Sequence, residues 1–155
     1  MTPISTIDRV EIGDLNGDKH PDIVISESRW PGKEPDANLF WFEHPSEVGQ
    51  DGWKRHWLVT QYSMNSLKVI DLDQDNDQDI LTAEHKGPKL ELQLWKNDGQ
   101  GHFSKITLDR GKENHLGTHC ADLDNDGDWD IIGVGWDHYQ SVYCWRSLQN
   151  QDDQK

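Results

Sequence analysis

The sequence contains little of what marks membrane proteins or nucleic-acid-binding proteins. No stretch approaches the roughly 18 apolar residues that a membrane span needs, so we expect no membrane insertion. Lysine and arginine together number 15 against 29 aspartates and glutamates, which gives a net charge of -14. A chain this acidic lacks the basic stripe with which proteins displace counterions from nucleic acids. We therefore expect no nucleic-acid partner.

Cysteines and catalytic motifs are scarce as well. Cys120 and Cys144 are predicted on the first and third strands of one sheet, about 9–10 Å apart and beyond the roughly 7 Å reach of a disulfide. We expect two buried free thiols. The sequence has no nucleophile elbow, HExxH motif, phosphate-binding loop or paired catalytic carboxylates. Its N-terminus also lacks the apolar stretch that is typical of a signal peptide.

Apolar residues are few, at 33% of the chain, and the mean hydropathy is -0.92. Such values also occur in disordered chains. The eight tryptophans argue against disorder, because disordered segments are poor in aromatic residues. We therefore expect a folded chain, long enough to bury one ordinary core.

The prominent feature of the sequence is one acidic nonapeptide in three copies. The copies read DLNGDKHPD (14–22), DLDQDNDQD (71–79) and DLDNDGDWD (122–130), and they hold 13 of the 29 acidic residues. Acidic or amide side chains occupy alternate positions, and an apolar run follows each copy at once. This pattern predicts a cation-binding loop that leads into a β-strand.

Calcium suits such loops, because Ca²⁺ takes roughly six to eight oxygen ligands. We expect side-chain oxygens from positions 1, 3, 5 and 9 and a main-chain carbonyl from position 7. The predicted ligands are Asp14, Asn16, Asp18, His20 and Asp22; Asp71, Asp73, Asp75, Asp77 and Asp79; and Asp122, Asp124, Asp126, Asp128 and Asp130. An EF-hand does not fit, since its position 12 would be Glu but is Ile25, Thr82 or Gly133 here. An acidic turn without an ion is the remaining alternative, and three copies at matched positions disfavour it.

The three loops are not expected to bind calcium equally. Position 6 is predicted to need a positive φ, which Gly adopts easily, Asn tolerates and Lys adopts at a cost. The residues at that position are Lys19, Asn76 and Gly127, and the first loop has only three carboxylates. We expect the affinity to be highest in the third loop and lowest in the first.

The loops also set the period of a repeat. Asp14 and Asp71 are 57 residues apart, and Asp71 and Asp122 are 51 apart. Several short strands per unit at this period are typical of propeller blades. We predict repeats over 1–147, with four-stranded blades at about 4–60 and 65–110, a blade at 115–147 without its fourth strand, and a polar tail at 148–155. Tryptophans are predicted to share one place on the third strand of each blade, namely Trp41, Trp95 and Trp145.

The loop motif, together with the segment NDGQGHF from Asn97 to Phe103, resembles the FG-GAP/VCBS repeats of integrin-α-like β-propellers. The resemblance implies an all-β fold and bound Ca²⁺. It does not select an activity, because the family serves adhesion, lectins, polysaccharide lyases and scaffolding alike. A closed propeller has about four to eight blades. The resemblance therefore implies either a fragment of a larger chain or an arc completed by other copies of itself or by a partner.

A ligand is expected on the propeller face opposite the calcium loops. Aromatic rings beside imidazoles and cations are frequent in the turns predicted there, and they suit sugars, especially acidic polysaccharides. The candidates are Arg29, Trp30, His85, Lys86, His119, Trp136, His138 and Tyr139, with Tyr62, Asn65 and His115 nearby. For any one of them, a role in covering a blade edge or an ordinary surface position is the alternative.

Three functions are compatible with these features. The first is a calcium-stabilised binding module for carbohydrate or protein in an exported, periplasmic or cell-surface protein, because weak acidic loops suit millimolar extracellular Ca²⁺. The second is a polysaccharide lyase in which His85, His119 or His138 is the acid or base and Lys86 or Arg29 neutralises the uronate. The third is a structural arc that completes a ring. We expect a binding or scaffold role rather than an enzyme.

Overall fold

The computed structural model describes residues 4–47, 49, 51–114, 116–136 and 141–147. Within them the chain is all β. The strands are β1 (Ile4–Gly13), β2 (Asp22–Trp30), β3 (Ala37–Glu43), β4 (Lys54–Gln61), β5 (Met64–Ile70), β6 (Asp79–Glu84), β7 (Leu92–Asn97), β8 (Phe103–Asp109), β9 (Thr118–Ala121), β10 (Asp130–Val134) and β11 (Val142–Trp145). This part of the chain has no helix long and apolar enough to cross a membrane.

The strands form three antiparallel sheets in sequence order. Blade 1 contains β1 to β4, blade 2 contains β5 to β8, and blade 3 contains β9 to β11. Each is a simple meander, because short turns join neighbouring strands. The predicted fold class is confirmed: two sheets have four strands and the third has three. The predicted tail at 148–155 lies outside the described residues.

The three blades share one register. The aspartate that opens the second strand pairs with the last residue of the first strand in every blade, as Gly13 with Asp22, Ile70 with Asp79 and Ala121 with Asp130. Because side chains alternate between the two faces of a strand, this register also fixes which residues of different blades are equivalent.

The core lies between the blades rather than within one sheet. Buried residues of blade 1 (Val24, Leu39, Trp41) cluster with Leu67, Val69, Ile80 and Trp95 of blade 2. Residues Leu81, Ala83, Leu92 and Leu94 on the other side of blade 2 cluster with Ile131, Cys120 and Trp145 of blade 3. We call the side of a blade that faces the preceding blade its leading face, and the side that faces the next blade its trailing face.

The predicted equivalence of the three tryptophans is wrong for Trp41. Trp95 pairs with Ile80 and Trp145 pairs with Ile131, but the partner of the equivalent Ile23 is Phe42. A shift of one residue moves a side chain to the opposite face of a sheet. Trp41 therefore lies on the trailing face of blade 1, where it stacks on His56 at a ring distance of 4.1 Å.

The cysteines flank β10 as predicted, on β9 and β11, and both are free thiols. The expectation that both are buried is wrong. Cys144 is exposed, because its side chain lies on the trailing face of blade 3, which no further blade covers in the described chain. Cys120 is on the leading face and half-buried, and burial raises the pKa of its thiol to about 11.

Candidate metal centres

The three acidic nonapeptides form the turns between the first and second strands of the blades. Position 6 has a positive φ in every loop, at 68° for Lys19, 75° for Asn76 and 92° for Gly127, as predicted. Position 4 also has a positive φ, which the sequence analysis missed. The values are 75° for Gly17, 61° for Gln74 and 61° for Asn125. Each loop thus turns twice through the left-handed region.

The aspartate at position 1 organises each loop. One of its carboxylate oxygens accepts the backbone N–H of position 6, at 2.8 Å from Lys19, 3.0 Å from Asn76 and 3.1 Å from Gly127. The other oxygen accepts the N–H of position 4 in the first loop and of position 5 in the second and third loops. Charge-assisted bonds of this kind hold the tight turn closed.

The side chains at positions 1, 3 and 5 converge in the second and third loops. Their carboxylates (Asp71, Asp73 and Asp75; Asp122, Asp124 and Asp126) each offer one oxygen within 4.8 Å of the others. In the first loop, position 3 is Asn16, whose amide oxygen accepts the N–H of Asp18 at 3.2 Å. The second and third loops are therefore the more highly charged pair.

Two of these carboxylates have an enclosed oxygen that no donor from the described part of the chain reaches, namely Asp73 Oδ1 and Asp126 Oδ2. A shielded carboxylate oxygen is costly unless a proton donor or a cation meets it. Both oxygens belong to the groups that converge, so the arrangement fits a cation with oxygen ligands.

A basic side chain approaches each of the two more acidic loops. Lys96 pairs with Asp73 and, at 3.3 Å, with Asp75, and Arg146 pairs with Asp124. Lys96 and Arg146 occupy equivalent positions at the end of the third strand of their blades, where blade 1 has Glu43. The hydrogen bond to Asp73 raises the pKa of Lys96. These cations partly offset the repulsion among the loop carboxylates.

The aspartate at position 9 has a structural role in all three loops. Each is at most 1% exposed. Its two oxygens accept two backbone N–H groups, one from loop position 2 and one from the last residue of the third strand or one to two residues beyond it. The pairs of donors are Leu15 and His44 for Asp22, Leu72 and Asn97 for Asp79, and Leu123 and Ser147 for Asp130. The local sequence does not reveal this anchoring role. Metal binding by position 9 stays a prediction.

Burial raises the pKa values of two of these anchors. That of Asp79 rises to about 6, because desolvation outweighs the hydrogen bonds from Asn97 and Leu72. The pKa of Asp22 is raised for the same reason. A divalent cation nearby would favour the ionised carboxylates, since opposite charge lowers the pKa of an acid.

The backbone N–H of position 7 is used inside each loop. The N–H groups of His20, Asp77 and Asp128 donate to the position 5 carboxylate at 2.8, 3.1 and 3.2 Å. In the first loop the His20 ring also stacks on His44, 5.2 Å away. Calcium binding by the position 7 carbonyls stays a prediction.

On the opposite side of the blades, Glu113 joins two of the predicted ligand-binding residues. Its carboxylate lies 2.8 Å from Nδ1 of His85 and accepts the backbone N–H of Trp136 at 2.6 Å. His85 is only 6% exposed, whereas the Trp136 side chain is 51% exposed. The sequence analysis did not identify Glu113, because a single glutamate in a turn carries no motif.

Among the other predicted ligand residues, Arg29 is joined to His85 through Ser63, whose Oγ accepts the Arg29 N–H at 2.8 Å and whose carbonyl accepts the His85 N–H at 2.9 Å. Arg29 is held within blade 1, with Nε donating to the carbonyl of Asp36 at 2.8 Å, while Trp30 is 69% exposed. Lys86 lies against the backbone of Gly32. His119 lies on β9 and not in a turn, and Asn65 lies on β5. Tyr62 lies in the turn between β4 and β5. His115, His138 and Tyr139 are outside the described residues.

Comparison with known proteins agrees with the repeat pattern. The sequence model of the family described as FG-GAP-like repeat matches residues 14–82 and 71–133, and both matches begin at the first aspartate of a loop. No curated protein and no solved structure matches the chain significantly. The two matches together span 14–133, which is more than half of the 155 residues. The chain therefore belongs to the FG-GAP-like repeat family.

Proposed function

We propose that the chain is a calcium-binding propeller repeat module of an exported protein, and that it binds carbohydrate or another protein. The convergence of three carboxylates in each of two equivalent loops carries the proposal, together with the enclosed oxygens of Asp73 and Asp126. Every candidate side-chain ligand atom is an oxygen, and oxygen ligands suit Ca²⁺ better than a softer transition metal.

Contacts between loops and neighbouring blades suggest what the ion does. The side chain of Gln74 in the second loop donates to the carbonyl of Gly127 in the third loop at 2.6 Å. Asn97 of blade 2 donates to the carbonyl of Leu15 in the first loop at 2.8 Å. An ion that fixes each loop would therefore also stiffen the packing of one blade on the next.

Metal removal tests this role. We expect added Ca²⁺ at millimolar concentration to raise the melting temperature of chelator-treated protein, and Mg²⁺ to raise it less, because Mg²⁺ dehydrates reluctantly. Calorimetry should show that Asp73→Asn and Asp126→Asn each remove one site. The control is Asp51→Asn, an exposed aspartate outside the loops. Unchanged melting together with no heat of binding would contradict the proposal.

The exposed tryptophans on the opposite side are the best candidates for a glycan platform, because flat rings stack on sugar faces. Trp30 and Trp136 are 69% and 51% exposed. We expect Trp136→Ala and Trp30→Ala to weaken binding to acidic polysaccharides on an array. The control is Trp53→Ala, which changes a tryptophan that is 40% exposed and precedes β4. An array that shows no polysaccharide binding would remove this part of the proposal and leave the metal sites intact.

The lyase alternative has weaker support. His85, one of its predicted acid or base residues, is 6% exposed and faces Glu113, whereas a base must reach the proton that it removes. Incubation with uronate polymers, followed by ultraviolet absorbance of unsaturated products, would reveal such an activity.

A further inference from the structure

The second and third acidic loops are in direct contact. Gln74, at position 4 of the second loop, donates its side-chain N–H to the carbonyl of Gly127, at position 6 of the third loop, at 2.6 Å. The N–H of Gly127 donates to Oδ2 of Asp122 at 3.1 Å and closes the third loop. The second loop therefore holds a residue on which closure of the third loop depends.

Both partners of this bond lie at left-handed positions of their loops. The φ angle is 61° at Gln74 and 92° at Gly127. The chain neighbours of Gln74 are Asp73 and Asp75, two of the three carboxylates that converge in the second loop. A change of φ at Gln74 or Gly127 would move the donor or the acceptor, so the bond depends on the closed form of both loops.

A buried side chain links the same two loops a second time. Leu72, at position 2 of the second loop, is 8% exposed and belongs to the apolar cluster that contains Ile131 of blade 3. Ile131 directly follows Asp130, the anchor of the third loop. Movement of the second loop would therefore reach the third loop through this cluster as well as through the amide of Gln74.

The first and second loops are joined differently. Position 4 of the first loop is Gly17, which has no side chain with which to reach a neighbouring loop. Asn97, the last residue of β7, connects these loops instead. Its side chain donates to the carbonyl of Leu15 at 2.8 Å, and its backbone N–H donates to Asp79 at 2.9 Å. The side-chain contact of Gln74 is therefore particular to the second and third loops.

We propose that the second and third loops bind Ca²⁺ with positive cooperativity, and that Gln74 transmits most of the coupling. The inference rests on the proposed calcium binding. Three carboxylates repel one another in each loop, so each loop is fully closed only when that charge is neutralised. A closed loop holds its half of the Gln74–Gly127 bond in place, and the other loop then closes at a smaller entropic cost.

The size of the coupling follows from the contact. One net hydrogen bond corresponds to a change in affinity of about two- to tenfold, and coupling between two sites is reciprocal. Repulsion between the two bound cations acts in the opposite direction. Salt at about 0.15 M, where the Debye length is about 8 Å, reduces that repulsion.

Site-resolved titration with Ca²⁺ alone tests the proposal. The amide signals of Asn76 and Gly127 in NMR spectra report on the second and third loops, because these N–H groups donate to Asp71 and Asp122. We expect Asp126→Asn, which disables the third loop, to weaken Ca²⁺ binding at the second loop by about two- to tenfold. Asp73→Asn should weaken binding at the third loop by the same factor.

Gln74→Ala isolates the proposed contact. In this background, Asp126→Asn should change the Ca²⁺ affinity of the second loop by less than about twofold. The control is Gln100→Ala, which removes an exposed glutamine of the turn after β7, and it should keep the full coupling. Melting curves in chelator check that each variant is folded.

The possible results separate this inference from the calcium proposal. Ca²⁺ binding at the second loop that is equally tight in the wild type and in Asp126→Asn would show that the loops are independent, and the inference would be wrong while the calcium sites remain. Full coupling in Gln74→Ala would show that the contact does not transmit it. If no signal shifts with Ca²⁺ and no heat is released, both proposals are wrong.

Discussion

Asn97 is the side chain whose replacement should reveal most about how the blades are joined. It is 3% exposed and makes four side-chain hydrogen bonds. Its Nδ2 donates to the carbonyls of Leu15 at 2.8 Å and Gln78 at 3.0 Å. Its Oδ1 accepts the N–H groups of Asp98 at 2.9 Å and Gly101 at 3.2 Å. One amide therefore joins the first loop, the second loop and the turn that follows β7.

Replacement by alanine removes all four bonds and leaves two carbonyls and two N–H groups without that partner. Since each such bond contributes about 0.5–1.5 kcal/mol net, we expect Asn97→Ala to lower the free energy of unfolding by about 2–6 kcal/mol. Asn97→Asp should cost at least as much, although its shape is nearly the same. Its carboxylate would face the carbonyls of Leu15 and Gln78 with no proton to donate.

Urea denaturation followed by tryptophan fluorescence, in chelator, measures both losses. Ser104→Ala is the control, because its exposed hydroxyl makes only one long bond, at 3.5 Å, to the carbonyl of Lys96. We expect that control within about 0.5 kcal/mol of the wild type. If Asn97→Ala is equally close to the wild type, the amide does not join the blades and the reasoning is wrong.

Three further predictions concern single side chains. Lys19→Gly should stabilise the apo protein by about 0.5–1 kcal/mol net in urea denaturation, because relief of the positive φ, about 1–2 kcal/mol, exceeds the entropic cost of glycine, about 0.5–1 kcal/mol. Gly127→Lys should destabilise the apo protein. Hydrogen bonds from Lys112 and Trp145 lower the pKa of Asp109 from 3.8 to about 2. The stability that these bonds confer is therefore complete above about pH 4 and is lost as the pH falls towards 2. Asp109→Asn should remove about 1 kcal/mol of that acid dependence after allowance for solvent screening, and an unchanged pH profile would contradict it. Lys96→Met should raise the calcium affinity of the second loop several-fold by calorimetry, and a lower affinity would show that Lys96 positions Asp73 and does not compete with the ion.

Local features of this fold could be predicted from the sequence, because they depend on neighbouring residues. Strand boundaries follow from alternation and turn residues. The segment NDGQGHF, which resembles the family's turn between the third and fourth strands, forms the turn between β7 and β8. The positive φ at position 6 follows from Gly127 and Asn76. At position 4, Gly17 and Asn125 also indicate a positive φ, but Gln74 at that position of the second loop does not.

Features that depend on distant partners could not be predicted. The sequence predicts that Asp22 is one more acidic metal ligand. Its carboxylate accepts the N–H of His44, a residue 22 positions away. Trp41 matches Trp95 in the aligned sequences, yet register decides its face, and register is set by pairing along the whole strand. Glu113 is important only because β5 to β8 bring His85 next to it.

The relative affinity of the loops depends on two effects that oppose each other. Lys96 and Arg146 neutralise part of the second and third loops, whereas the equivalent residue beside the first loop is Glu43. This effect favours the first loop, but exposed ion pairs contribute only about 0–1 kcal/mol. The left-handed conformation of Lys19 costs about 1–2 kcal/mol, and Gly127 avoids that cost in the third loop. We therefore expect backbone strain to be the larger effect, and the order of third, second and first stays a prediction. If calorimetry shows the first loop to be tightest, charge and not strain determines the affinity.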